Sequence, residues 1–203
     1  MKERFHIIVE GIADLVFFEQ YYQHLFWKPA PEGFIFKTDG KDNLHKFVNK
    51  MNIMSANDGV NLVIFDADKD IDARRDELLK WKEKAGVSFE LFLLPNNKIK
   101  GALEDLLENI INPNNKPIFN CWEDYEKKLV KLEIPGRTPP PLTTPAKKTK
   151  IYGYLEALLG ETDREKKQIK ETNRNYENTQ HWNLDAEYLK SLKEFLVNNL
   201  TGK

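Results

Sequence analysis

Short hydrophobic runs alternate with longer segments of helical spacing through the first half of the chain. The runs at 5–9, 34–37, 62–65 and 87–94 are rich in β-branched and aromatic residues. Such runs are typical of strands buried inside a sheet. Apolar residues between them recur at the spacing of helices, as in residues 12–26. Strands that alternate with helices predict an α/β fold with a mostly parallel, four-stranded sheet flanked by helices.

The pattern changes after Pro95, where helical spacing replaces strand-like runs. Helices are expected at 101–111, 122–132, 151–159 and 186–200. A proline-rich segment, 134–150, interrupts them and is predicted to be a loop, either ordered and functional or disordered. We therefore expect an α/β domain over residues 1–112 and a helical C-terminal extension over residues 113–203.

Three aspartates follow the third predicted strand at alternate positions, Asp66, Asp68 and Asp70. An extended chain would send their side chains to one side, where three carboxylates repel one another. A divalent cation such as Mg²⁺, Mn²⁺ or Ca²⁺ relieves that repulsion, so the pattern indicates a metal site. Two alternatives stay open. Asp70 or Asp72 could cap the next helix, or the segment could be a calcium hand, although Ile71 stands where such a loop needs glycine.

A second acidic group follows the first predicted strand. Glu10 ends that strand, Gly11 allows close approach to the backbone, and Asp14 lies in the first turn of the next helix. Because ligands of open α/β sheets bind beyond the carboxyl ends of the strands, we expect Glu10 to meet Asp66 and Asp68 there.

These two segments together resemble the paired motifs of the Toprim domain superfamily. The first is Val9-Glu-Gly-Ile-Ala-Asp14, the second is Asp66-Ala-Asp-Lys-Asp70, and Gly40 stands where that pattern has a turn glycine. The chain is also similar to stand-alone prokaryotic Toprim-like proteins and to the nuclease domain of the overcoming-lysogenization-defect (OLD) family. The resemblance covers roughly residues 4–111 and implies a Toprim-like fold.

The resemblance also implies a mechanism and its residues. Mg²⁺ or Mn²⁺ would be bound by Glu10, Asp66 and Asp68, with Glu10 also serving as general acid or base. A further metal-binding glutamate of the OLD nucleases corresponds to Glu104, with Asp105 beside it. Their late basic residue has three candidates in this chain: Lys147, Lys148 and Lys150.

Composition says more about the cellular compartment of the protein than about its function. The chain has 203 residues, 40% of them hydrophobic, and a net charge of −1, which gives no global case for nucleic-acid binding. Charge is uneven, however, because residues 66–77 are acidic and residues 135–150 are basic, a combination that suits a phosphate-bearing substrate. A single cysteine, Cys121, excludes an internal disulfide. With no signal peptide or membrane-spanning run evident, we expect a cytoplasmic protein.

The sequence is compatible with three functions. The first is a Mg²⁺-dependent Toprim-type nuclease, or a related protein that processes phosphodiester bonds in DNA or RNA. The second is a regulatory module that binds metal or nucleic acid without chemistry. The third is a haloacid-dehalogenase-like phosphatase with Asp66 as nucleophile and Asp68 as acid. The chain lacks the phosphate-binding loop of the ATPase that OLD proteins carry, so a separate ATPase is a conceivable protein partner. The oligomeric state is left open.

Overall fold

The sheet is the centre of the computed structural model, which describes residues 4–137 and 142–201. Its four strands are all parallel and lie in the order β2-β1-β3-β4. They are β1 (Phe5–Val9), β2 (Ile35–Lys37), β3 (Val60–Asp66) and β4 (Glu90–Leu94). The predicted α/β class and the parallel four-stranded sheet flanked by helices are confirmed, and the arrangement is consistent with a Toprim-like fold.

Eight α-helices occur in the described part of the chain. They are α1 (Ile12–Phe26), α2 (Val48–Ala56), α3 (Ile71–Ala85), α4 (Leu103–Asn109), α5 (Lys116–Leu129), α6 (Lys147–Leu159), α7 (Asp163–Ile169) and α8 (Lys190–Leu200). Short 3-10 helices occupy Lys41–Phe47, Pro113–Asn115, Glu171–Asn173 and Glu187–Leu189. None of the helices described is both long and apolar enough to cross a bilayer.

Several predicted boundaries were wrong. β4 begins at Glu90 instead of residue 87, because Gly86 ends α3 in a left-handed turn and Val87 still donates a hydrogen bond to the carbonyl of Lys82. α6 begins at Lys147, so the last residues of the predicted loop 134–150 are helical, and α7 was not predicted. The proline run of that loop, at 139–141, lies outside the described residues.

Two hydrophobic clusters cover the two faces of the sheet. Alternate residues of β3 point to opposite faces, so that Leu62 and Ile64 join one cluster while Val63 and Phe65 join the other. Helices α2 and α3 cover the second face. The first face is covered by α1 and α4 together with most of the C-terminal extension, whose buried residues include Ile151, Tyr154, Leu155, Trp182, Leu192, Leu196 and Leu200.

The strand order creates a crevice at one edge of the sheet. From β1 the chain crosses over to β2 on one side, and from β3 it crosses to β4 on the other, although β1 and β3 are neighbours. Such a reversal leaves a gap beyond the carboxyl ends of the two central strands. Glu10 and Asp66 stand at those two strand ends.

Gly101 connects the end of β4 to this crevice. It has a φ of +146°, and its carbonyl accepts a hydrogen bond of 2.9 Å from the backbone N–H of Asp68. A Cβ at this position would lie 2.6 Å from Asp105 Oδ2 and 3.0 Å from Pro95 Cδ.

The substitution Gly101→Ala is therefore expected to lower the free energy of unfolding by about 2–3 kcal/mol, from backbone strain and the clash together. Urea denaturation measures the change. Gly33→Ala is the matched control, because Gly33 has a φ of +75° and no atom within 4 Å of the added Cβ. Equal losses in the two variants would show that the contacts at Gly101 contribute nothing.

Candidate metal centre

Four carboxylates from four elements of the fold meet at this crevice. Glu10 follows β1, Asp14 lies in the first turn of α1, Asp66 ends β3 and Glu104 lies in the first turn of α4. The negative charges of Asp14, Glu10 and Glu104 all act on the carboxyl group of Asp66. Glu10 and Asp66 are in contact, as expected, because Glu10 Oε1 accepts a hydrogen bond from the Asp66 backbone, and the charges of Asp14 and Glu104 act on the same carboxyl group.

Glu10 is held in place by Arg74 of α3. Glu10 Oε1 accepts hydrogen bonds from Arg74 Nη2 at 2.8 Å and from the backbone N–H of Asp66 at 3.2 Å. The Arg74 side chain is only 4% exposed and also donates to Glu77 Oε2 at 2.9 Å. Burial raises the pKa of Glu10 even though the guanidinium opposes that change. Arg74 is therefore an internal partner of Glu10.

Asp66 and Asp14 are the most perturbed acids of the group. Asp66 Oδ1 accepts a hydrogen bond of 3.0 Å from the backbone N–H of Leu103, the first residue of α4. Burial, followed by repulsion from the neighbouring carboxylates, raises the pKa of Asp66 to about 9. Asp14 Oδ2 accepts from the N–H of Gly11 at 3.0 Å, and burial raises the pKa of Asp14 to about 7. The surrounding protein therefore leaves the ionised forms of these two acids uncompensated and favours their protonated forms.

Asp68 and Asp70 do not continue the alternation that the sequence suggested. Asp68 adopts a left-handed conformation with a φ of +55°, so the chain turns there instead of remaining extended. Asp68 is exposed, and its charge acts on the Glu10 carboxyl. Asp70 Oδ1 accepts from the N–H groups of Asp72 and Ala73 at 3.0 and 3.1 Å. Asp70 is thus the N-cap of α3, which was the alternative to metal binding.

The donor set suits a hard divalent cation, but its side chains are not gathered around one point. Within residues 4–137 and 142–201, no group of three or more His, Cys, Asp or Glu side chains is arranged to hold a metal ion. The chemistry nevertheless fits Mg²⁺ or Mn²⁺, because all the donors are carboxylate oxygens and their mutual repulsion is relieved by positive charge. Asp66, Glu104 and Glu10 are the residues that would hold the ion, with exposed Asp68 at the rim.

Glu104 and Asp105 have different roles in the first turn of α4. Asp105 Oδ2 accepts a hydrogen bond of 2.8 Å from the N–H of Ala102 and so caps the helix. The carboxylate of Glu104 has no hydrogen bond or ion pair within the described parts of the chain. Glu104 is therefore free to act as a ligand, whereas Asp105 is engaged.

The three candidate lysines lie near α4, but each is neutralised by an acid. Lys147 pairs with Asp105, Lys148 pairs with Glu171, and Lys150 Nζ lies 2.9 Å from Glu108 Oε2. Lys150 is largely buried, and its ammonium group lies over the ring of Phe119 at 5.0 Å. These ion pairs connect the N-terminal part of α6 to α4 and to the 3-10 helix Glu171–Asn173.

The turn glycines support the site through their backbone. Gly11 donates to Asp14 as described above, and Gly40 donates its N–H to the carbonyl of Glu10 at 3.1 Å. Gly40 has a φ of +111°, a conformation that favours glycine. This hydrogen bond connects the turn after β2 to the backbone of Glu10.

Sequence reasoning missed two residues of the C-terminal extension. Arg174 is 3% exposed, its Nε donates to the carbonyl of Ile169 at 3.2 Å, and its guanidinium lies over the ring of Tyr152 at 4.8 Å. Arg174 Nη2 and the hydroxyl of Tyr176 have no hydrogen bond of normal geometry to any described group.

Tyr176 joins these residues to the carboxylate cluster. Burial raises the pKa of its hydroxyl to about 12, the charge of Arg174 acts in the opposite direction, and the charges of Asp14 and Glu104 add to the rise. The segment 173–177, Asn-Arg-Asn-Tyr-Glu, has no hydrophobic periodicity or motif that could have identified it.

Comparison with known proteins gives a family and no activity. The profile of a family described as "Protein of unknown function (DUF3226)" matches residues 4–201, which is nearly the whole sequence. No curated protein and no solved structure matches the chain.

Proposed function

We propose that this chain, which belongs to the DUF3226 family, is a Mg²⁺- or Mn²⁺-dependent nuclease of the Toprim type that cleaves phosphodiester bonds in DNA or RNA. The observation that supports this proposal is the contact between Glu10 and Asp66 at the strand reversal, where the charges of Asp14 and Glu104 also act on Asp66. Four buried or half-buried carboxylates in one place are costly without a cation, and a cation beside them suits a phosphate-bearing substrate.

Each residue has a role that its contacts support. When bound, the ion would polarise a phosphodiester and lower the pKa of water. Asp66 and Glu104 supply carboxylate oxygens for it, and the N–H of Leu103 orients Asp66. Glu10 holds or releases a proton at its carboxylate, a role that its raised pKa favours. Arg74 orients Glu10 through the 2.8 Å hydrogen bond.

The test is metal-dependent cleavage by the purified full chain. We expect nicking of supercoiled plasmid or cutting of single-stranded RNA in Mn²⁺ or Mg²⁺, and none in EDTA. Glu104→Gln should reduce the rate by about 10²-fold or more, because a neutral amide is a poor ligand for Mg²⁺. Glu83→Gln is the matched control, since Glu83 is exposed on α3 and takes part in no ion pair within the described residues. Intact substrate after prolonged incubation in Mn²⁺ would contradict the proposal.

One observation favours a second candidate, a regulatory module that binds metal without chemistry. Glu10, the residue that would hold or release a proton in the nuclease, is engaged by Arg74 at 2.8 Å. Calorimetric titration with Mn²⁺ separates the two candidates. Binding that Asp66→Ala removes, in a protein that cleaves neither DNA nor RNA, would support the regulatory module over the nuclease.

A further inference from the structure

Exposed lysines that form no ion pair with any described residue lie on loops near the carboxylate cluster, and they are not the lysines of α6. Those three lysines are each neutralised by an acid, as described above. Lys69, Lys98 and Lys100, by contrast, are exposed and take part in no ion pair within the described parts of the chain. Lys69 follows Asp68 directly, and Lys100 precedes Gly101, whose carbonyl is hydrogen-bonded to the N–H of Asp68. Lys69 and Lys100 therefore lie at the margin of the candidate metal centre, and Lys98 lies two positions before Lys100 on the same loop; these three residues are called the lysine rim.

The loop that carries Lys98 and Lys100 is fixed by its own hydrogen bonds. Asn96 Oδ1 accepts from the N–H groups of Lys98 and Ile99 at 3.1 and 3.2 Å. The carbonyl of Asn96 in turn accepts a bond from Ser191 Oγ at 3.3 Å.

The next residue, Asn97, secures the loop to the sheet and to α3. Asn97 Oδ1 accepts from the N–H of Leu93 in β4 at 3.1 Å and from Arg75 Nη2 at 3.0 Å. The backbone N–H of Asn97 donates to the carbonyl of Leu93 at 2.7 Å. The backbone bearing the two lysines is thus preorganised, and little ordering of the chain is needed when a ligand binds.

We propose that Lys98 and Lys100, together with Lys69, bind the phosphate backbone of a nucleic-acid strand and position one of its phosphodiesters over the carboxylate cluster. This inference rests on the proposed nuclease function and names the protein's contact surface for the substrate. Lysine binds phosphate as a compact point charge, which suits contacts that do not depend on sequence.

The arrangement of charge favours a nucleic acid over other polyanions. The lysine rim alone would attract an acidic peptide as well as a polynucleotide. A polynucleotide brings a regular series of phosphates, of which one can share the cation with the cluster while its neighbours contact the lysine rim. A polynucleotide therefore uses both the acidic centre and its basic margin, at a spacing that its backbone repeats.

The experiment separates binding from cleavage. Anisotropy of fluorescein-labelled single-stranded DNA, RNA and duplex DNA is measured in EDTA with the full chain over a range of salt concentrations. We expect the double variant Lys98→Gln/Lys100→Gln to bind about 10-fold or more weakly at low salt. The slope of log K against log salt should fall in magnitude by about 1.4 for a single strand, or about 0.7 per lysine. The three probes show which polynucleotide is bound.

The matched control is Lys80→Gln/Lys84→Gln, which removes two exposed lysines from the second half of α3, away from the crevice. This variant should bind like the wild type. Equal binding and equal slopes for wild type and Lys98→Gln/Lys100→Gln would overturn the lysine rim even if the protein cleaves DNA in Mn²⁺. Displacement of the labelled strand by polyglutamate as effectively as by unlabelled DNA would overturn the preference for phosphate. Binding that depends on the lysine rim, in a protein without cleavage in Mn²⁺, would support the rim and contradict the nuclease.

Discussion

Asp66→Asn is expected to abolish metal-dependent cleavage and, at the same time, to stabilise the metal-free protein. The asparagine side chain has the same shape, and its Oδ1 can still accept the hydrogen bond from the N–H of Leu103. The variant loses the carboxylate that the cation requires, so we expect a rate lower by about 10³-fold or more. It also no longer has to take up a proton on folding, as the Asp66 carboxyl does at pH 8 because its pKa is raised to about 9 in the folded protein, and this should raise the free energy of unfolding by about 1–3 kcal/mol.

The sign of the pH dependence follows from the raised pKa. In the folded protein the pKa of Asp66 is about 9, against an ordinary value of 3.8. The folded state therefore holds this proton more tightly than the unfolded state, and its stabilising effect is fully present below about pH 4. That stability is lost as the pH rises toward 9. Asp66→Asn should flatten this decline, and Mg²⁺ should raise the melting temperature of the wild type more at pH 8 than at pH 5.

Urea denaturation in EDTA at several pH values, together with a cleavage assay in Mn²⁺, tests this pair of effects. Asp76→Asn is a suitable control, because Asp76 is exposed on α3. A variant at residue 66 that cleaves like the wild type would show that this carboxylate is not a ligand. A variant that is less stable than the wild type at pH 8 would show that the carboxylate is already compensated within the fold.

Arg74→Met is expected to cause the largest loss of stability. The Glu10 side chain is 19% exposed and would lose its only cationic partner in the described structure. Removing one member of such a pair typically costs about 3–5 kcal/mol. Because the pKa of Glu10 is already raised by burial, the loss should be greater at pH 8, where the carboxylate is charged, than at pH 4, where it is protonated.

A double-mutant cycle shows whether the charge pair is responsible. Glu10→Gln combined with Arg74→Met removes both charges and should recover a large part of the lost stability. Arg75→Met is the matched control, because Arg75 bonds only to Asn97 among the described residues and should cost about 1 kcal/mol. If Glu10→Gln/Arg74→Met loses as much free energy of unfolding as Arg74→Met alone, the packing of the Arg74 side chain matters more than its charge.

The sheet and its acidic edge were predictable because their signals are local. A strand buried on both faces needs an uninterrupted apolar run, and Leu62–Phe65 supplies one that ends directly at Asp66. Parallel strands bring their carboxyl ends to one edge, which is why Glu10 and Asp66 could be expected to meet although they are 56 positions apart.

The remaining features depend on contacts that sequence spacing does not encode. The left-handed conformation of Asp68 coincides with its bridge to Gly101, a partner that lies beyond β4. The pairing of Lys147 with Asp105 depends on how α6 packs against α4. Arg174 lies in a segment without periodicity, and its position beside the cluster follows from Gln20 of α1, which donates to the Arg174 carbonyl at 2.8 Å.

The contribution of α8 to the first face of the sheet affects how the protein can fold during translation. The buried face of α8 consists of Leu192, Leu196 and Leu200, which are completely or almost completely buried. They pack in the same cluster as residues of β1 and α1, which lie much earlier in the chain. While α8 is still inside the ribosomal exit tunnel, the apolar surface that it covers on the nascent chain remains open to solvent. The emerging polypeptide thus passes through a stage in which it is vulnerable to aggregation and is a suitable client for chaperones.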